Sequence, residues 1–442
     1  MTSLVYIYLV WSAIAKFVPA LGSAGQFVDG AVALIPLVLL VDMVFYRKAL
    51  RFSPYVIRIL WAIGAVIVVS GLSMVINRSP SLNGIRFLYS ILRIILAFLW
   101  IITSGQGEEI SHFTLRFLQF LVVLQIPFFI YGFLSNGRSY VGDLATGAII
   151  TGGAYEVATY MFFGSLVAIG MFRVTRERKY LWYTVGSLLL LLVTSTKQIA
   201  ILTPFVILFI LYRFERVRVA RLLVLVIVGG MIFLLGYHVV EIQWGLVQES
   251  LSGSSDEGEP LSFVEVLAAS EKAQGYYDAF VTVPGQLPFP LLGAGPGNYA
   301  SFTAMNAKTP LAEAYINTYL ERIPEGFFGT LVSRTSGVIS LYGDIGPIGL
   351  VLMFFIYSSV LHNVGKVGWI SVDLESRALA FVGVGAGLLL FAESILLNVF
   401  EGNSILLTVF WVASGSILSC HHHRNHTEAV SSSENRRTNP LE

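Results

Sequence analysis

The chain has 442 residues, 55% hydrophobic and only 12% charged, with a formal net charge of +1 and a mean hydropathy of +0.75. So apolar a composition excludes a soluble globular protein and points to an all-α polytopic membrane protein. The balanced charge gives no footing for nucleic acid, and a single cysteine, Cys420, excludes an internal disulfide framework or a multi-cysteine metal site.

A helix crosses the hydrocarbon core with roughly 20 apolar residues, and that length divides the chain into about twelve transmembrane spans. They fall at 3–20, 28–45, 54–76, 82–103, 113–134, 155–173, 181–196, 198–213, 222–240, 336–360, 376–398 and 402–419. The first lacks a basic leader region and a small-residue cleavage site, so it reads as a retained helix. The chain then divides into spans one to nine over 1–240, a large loop over 241–335, spans ten to twelve over 336–419, and a disordered tail over 420–442.

Basic residues cluster after alternate spans: Arg47, Lys48 and Arg51; Arg173, Arg176, Arg178 and Lys179; Arg213, Arg216, Arg218 and Arg221. The positive-inside rule puts these clusters, both termini and the tail in the cytoplasm and the large loop outside. That loop opens with an acidic Ser/Gly-rich linker around Glu249, Asp256, Glu257 and Glu259. A helical segment over 262–283 follows, then a Pro-rich break, a glycine cluster at Gly293, Gly295 and Gly297, and a second helix over 311–322.

Ionised groups inside the bilayer cost several kcal/mol unless paired or hydrated, so each one is informative. Arg86 and Arg93 stand on one face of span four, about 10 Å apart, and Arg93 lies about 16 Å below the outer end. Arg86 can equally be an interfacial arginine that snorkels. Lys197 sits in a polar hairpin, 194–198, between two short apolar runs, where it is either an interfacial lysine or a cation facing a cavity. Glu156, Asp344 and Glu393 lie toward the outer ends of spans six, ten and eleven, as structural counter-ions singly or as the acidic lining of an outward-facing polar cavity together. A transporter with a midplane site would spread such groups toward both faces. Arg322 and Arg334 flank the later part of the loop, either solvated or adding cations from above. The glycine cluster makes a tight turn with exposed backbone amides. The histidines at 421, 422, 423 and 426 read as a solvated tail, and no metal site is expected.

Three stretches carry a resemblance to the polysaccharide polymerase and O-antigen ligase superfamily of bacterial envelopes. Residues 291–299 resemble its Gly-x-Gly-x-Gly-aromatic element, residues 341–349 its acidic-x-Gly-x-x-Gly element, and residues 194–197 its Ser-Arg hairpin. Lys197 stands where the family often has arginine, which removes the bidentate fork. Thr335 and Ser336 stand where ligases carry a His-Asn pair, so the likeness favours a polymerase, with a ligase as the alternative and a transporter or flippase as a different class.

The resemblance implies a GT-C-like fold in the bacterial inner membrane and inverting, metal-independent glycosyl transfer without a cofactor. The implied substrate is a polyprenyl-diphosphate-linked oligosaccharide within the membrane lipid, and a chain-length regulator is an implied partner. It also implies that Arg86, Arg93, Lys197, Arg322 and Arg334 surround the diphosphate, that Asp344 or Glu156 serves the acceptor, and that Gly293, Gly295 and Gly297 form a turn in the loop.

Overall fold

The computed structural model describes residues 2–14, 34–46, 53–136, 153–194, 197–215, 271–317, 335–370, 374–401 and 405–438. Expected span 222–240 and the acidic linker lie outside the described residues. All regular structure among the described residues is helical.

We number the main helices in chain order: α1 (Thr2–Ile14), α2 (Ile35–Val41), α3 (Pro54–Ile76), α4 (Ser81–Ser104), α5 (Gly107–Asn136), α6 (Gly153–Thr175), α7 (Lys179–Val193), α8 (Lys197–Glu215), α9 (Glu271–Tyr277), α10 (Phe302–Ala307), α11 (Gly337–Ile370), α12 (Leu374–Leu396) and α13 (Ile405–Thr438). Seven of these, α3 to α6 and α11 to α13, are long and apolar enough to cross a membrane, by length and composition among the described residues. The chain is thus an α-helical polytopic membrane protein. Apolar helices α1, α2, α7 and α8 are shorter.

Local chemistry sets several boundaries. Pro54 at the first position of α3 lacks the N–H that would be orphaned there, and Gly105 ends α4 in the left-handed conformation. Helix α13 continues to Thr438, through the segment expected to be a disordered tail. No glycine or proline interrupts the sequence between Gly415 and Pro440.

Helices α12 and α13 lie at the centre. Helix α12 packs on α6, α8, α11 and α13, and α13 packs on α4 and α5. Close approach relies on small residues, as expected where lipid provides no hydrophobic drive between helices: a Cβ on Gly170 would stand 2.9 Å from the Ala378 backbone. Outward faces carry residues such as Trp61, Val75, Leu134 and Trp182, each at least 75% exposed, as a lipid-facing surface requires.

The bundle has two distinct ends. At one, the Thr2 hydroxyl donates to Gln106 Oε1 at 2.7 Å and His112 meets Glu375 at 2.6 Å. At the other, residues 271–317 form a cap with its own small core of Ala279, Val283, Ala294, Tyr299, Ala300 and Ile316, joined by Ile339 of α11. Phe280 stacks on Tyr342 of α11 with centroids 4.0 Å apart.

The seat of the cap is a break in α11. Gly346 adopts φ 71 and ψ 177 in the first third of the helix, and Pro347 follows. Pro347 has no N–H, so the carbonyl of Gly343 has no helical donor four residues on. Ala294 N–H donates to that carbonyl at 2.7 Å, and Gly295 N–H to the carbonyl of Asp344 at 3.0 Å. A Cβ on Gly346 would collide with the Leu291 carbonyl and the Gly293 nitrogen. Gly346→Ala therefore combines left-handed strain with a backbone clash and should cost about 2 kcal/mol or more. The expected readout is a lower thermal midpoint in detergent together with faster proteolysis within 284–300, and unchanged values for both would contradict this account of the break.

Candidate functional site at the glycine turn

Gly293, Gly295 and Gly297 all have positive φ, at 70°, 101° and 71°. The turn they make presses on α3 and α4. Ser73 Oγ donates to the Leu292 carbonyl at 2.7 Å, Asn77 Nδ2 donates to the Gly293 carbonyl at 2.8 Å, and a Cβ on Gly297 would meet the backbone of Asn83 at 2.5 Å. Beyond the glycines, three successive N–H groups converge on one carboxylate. Asn298 and Tyr299 donate to Asp344 Oδ1 at 2.7 and 2.9 Å, and Ala300 donates to Oδ2 at 3.1 Å.

Such a nest of amides suits an anion, and Asp344, wholly buried, is the anion that fills it. The amides that the sequence offers to a phosphate are thus bonded to a carboxylate of the chain itself. In this arrangement Asp344 positions the turn. Replacing it with asparagine turns one acceptor into a donor facing N–H groups, and hydrogen bonds to charged groups are worth about 1.5–3 kcal/mol each. Asp344→Asn should lower stability by at least about 3 kcal/mol, read as a fall in thermal midpoint, whereas a stability equal to wild type would show that the turn does not depend on this anion.

A second buried carboxylate ties the cap to the helix ends. Glu401, between α12 and α13, accepts on Oε1 from the Ser340 hydroxyl at 2.6 Å and from Asn398 Nδ2 at 2.7 Å. Its Oε2 accepts from Thr303 N–H of α10 at 3.4 Å. Burial pushes its pKa from 4.5 up to about 7; these hydrogen bonds oppose the shift, and the neighbouring Asp344 charge adds to it. Between those two values the folded protein holds a proton that the unfolded chain has released, so this group's contribution falls as pH rises from 4.5 to 7. Thermal midpoints of wild type measured against Glu401→Gln should show the wild type losing ground across that window, and parallel curves would contradict the assignment.

The cations expected at the diphosphate are distributed unevenly. Arg93 is half-buried on α4, with its guanidinium 3.5 Å from the Glu401 backbone carbonyl and within electrostatic range of Tyr8 and Tyr89. Arg86 is exposed near the start of α4. Lys197 begins α8, but its side chain lies outside the described residues, as do Arg322 and Arg334 altogether. Glu156 is buried on the first turn of α6. The structure therefore joins the glycine turn to Asp344 and brings Arg93 to the Glu401 backbone. Histidine, cysteine and carboxylate side chains form no metal-binding group of three or more among the described residues.

Sequence reasoning passed over Glu401, Ser340 and Lys272. Lys272, on α9 in the cap, donates to the Thr335 carbonyl, and burial lowers its pKa from 10.5 to about 8. Thr335 in turn donates to the Ala300 carbonyl at 2.6 Å. Tyr276 donates to the Ile395 carbonyl at 2.6 Å and lies 3.2 Å from Ser336 Oγ. Thr335 and Ser336 thus fasten the cap to the start of α11, and Tyr276 ties it to α12. An acidic residue in the short polar connection 397–404 between two apolar spans was the one available signal for Glu401.

Compared with known protein families and with curated proteins, the chain matches none.

Proposed function

We propose that the protein is a polymerase of lipid-linked oligosaccharide repeats, acting at the outer face of a bacterial inner membrane by inverting glycosyl transfer. In this reading 222–240 supplies a further span, the total is about twelve, the architecture is GT-C-like, and the capped end of the bundle faces outward. Arg173, Arg176, Arg178 and Lys179, at the α6–α7 junction away from the cap, agree with a cytoplasmic opposite end.

One observation carries the reading. The two stretches that carry most of the family resemblance, 291–299 and 341–349, are directly hydrogen-bonded to each other where the cap meets the helices. They form a single unit, as a shared functional element would.

The chemistry follows from charge. As the bond from the anomeric carbon to the diphosphate breaks, the electron pair leaves with the diphosphate, and fixed cations lower the barrier by meeting that charge. Arg93, half-buried beside the Glu401 carbonyl, is the best-placed cation among the described residues, with Arg86 and Lys197 as further contributors. An acceptor sugar hydroxyl attacks from the opposite face and inverts the configuration. Arg322 and Arg334 would add cations from the loop.

Loss of one such cation costs on the order of 10²–10³ in rate in comparable anion-stabilising sites. Arg93→Ala, expressed in a strain lacking the wild-type protein, should collapse surface glycan to single-repeat chains, while Arg93→Lys should give chains of intermediate length because the charge remains without the fork. Wild-type chain lengths in Arg93→Ala would overturn the assignment of Arg93. Accumulated polymer still on its lipid carrier in the deletion strain would instead indicate a ligase, and flux without bond formation in proteoliposomes a transporter.

A further inference from the structure

Three buried carboxylates stand near the capped end on α11, α12 and the α12–α13 connection, and their surroundings differ. Asp344 accepts three backbone N–H groups. Glu401 accepts from a hydroxyl, a side-chain amide and a backbone N–H. Glu393 of α12 has no measurable exposure, yet neither of its oxygens has a hydrogen-bond partner among the described residues.

A buried carboxylate without donors carries a desolvation cost of several kcal/mol in any ionised state. Buried polar groups in folded proteins are overwhelmingly satisfied, so an orphan of this kind calls for a specific reason. A core position would be served better by leucine, which neighbouring positions 389, 390 and 396 already carry.

The setting of Glu393 narrows what supplies the missing donor. Its helix, α12, packs on α6. The hydroxyl of Tyr155, on the first turn of α6, lies within electrostatic range of both Glu393 and Glu156. Two acids and a phenol are therefore gathered at one spot, a group that repels an anion and invites hydroxyl donors. One helical turn above, the Leu397 carbonyl accepts from Gly337 N–H, and the neighbouring Ser394 packs on Gly337. The distance along the axis from Glu393 to that cap-facing turn is about 6 Å. Both Glu393 oxygens keep lone pairs for a hydroxyl donor, whereas Asp344 and Glu401 already accept from the chain's own groups.

We infer that Glu393, with Tyr155 and Glu156 around it, binds the hydroxyl-bearing acceptor sugar and takes the proton from its attacking hydroxyl. The inference rests on the proposed polymerase reading and assigns its base to a residue other than Asp344. In the step, the acceptor O–H bond breaks and its proton passes to a Glu393 oxygen. The oxygen's electron pair forms the bond to the anomeric carbon, and the carbon–oxygen bond to the diphosphate breaks with its pair retained by the diphosphate. Glu393 is closed off in this structure, so acceptor arrival displaces side chains over it.

The test uses full-length protein in nanodiscs with a synthetic polyprenyl-diphosphate-linked oligosaccharide as both donor and acceptor. Wild type, Glu393→Gln and Glu393→Asp are compared by initial rate against pH, by donor binding and by thermal midpoint. General-base contributions are typically 10²–10⁴-fold. Glu393→Gln should therefore lose kcat by about that factor while donor binding and thermal midpoint stay near wild type, the acid limb of the rate profile should vanish, and Glu393→Asp should recover part of the rate. A Glu393→Gln rate within threefold of wild type overturns the inference while leaving the polymerase reading intact. Parallel loss of donor binding and thermal stability in both variants assigns Glu393 a structural role and overturns it as well. Wild-type protein that forms no glycosidic bond from this substrate overturns the polymerase reading together with the inference.

Discussion

The bond between the glycine turn and the broken start of α11 is the constraint on which the capped end depends. A helix inside a bilayer satisfies its own backbone, and any break exposes groups that lipid cannot partner. Pro347 and Gly346 create such a break. The carbonyls of Gly343 and Asp344 are answered by N–H groups of the turn, and the next three N–H groups of the turn are answered by the Asp344 side chain. Each segment supplies what the other lacks. The small core of the cap and the stack of Phe280 on Tyr342 then keep the two in register.

From that junction the order of the neighbouring groups follows. Asp344 fixes the turn, the turn leads into α10, α10 donates to Glu401, and the Glu401 backbone carbonyl lies 3.5 Å from the Arg93 guanidinium. Fixed cations are most effective where they are oriented before charge develops, and Arg93 sits beside that carbonyl. The opposite end lacks such a relay among the described residues and closes instead through side-chain contacts such as His112 with Glu375.

Hydropathy made most of the bundle legible. The span expected at 54–76 is Pro54–Ile76, because a proline and a polar asparagine mark its ends. Helix α5 begins at Gly107, six residues before the expected 113, since Glu108, Glu109 and His112 lower the apolar score without breaking the helix. The two glycine-containing stretches were visible, but their mutual recognition was not. A sequence does not show that an aspartate will meet amides 44 to 46 residues away, nor that a free-looking nest is already filled. Arg93 was legible through the cost of charge in lipid, whereas Glu401 sat in a connection that hydropathy passes over.

The same cost of burial separates the roles of the carboxylates. If Asp344 took a proton, the turn would lose the anion that organises it. Glu401 is bound in a comparable way to α10 and α11. Their partners make them rigid, and rigidity of this kind is worth keeping in a scaffold. Glu393 gives up no hydrogen bond on meeting a donor, so a hydroxyl that reaches it gains the full interaction. Retention of an unsatisfied acid amid apolar packing has a physical rationale only where something else brings the donor, and the capped end, with its ordered cation and its nearby acids, is where such a ligand would be received.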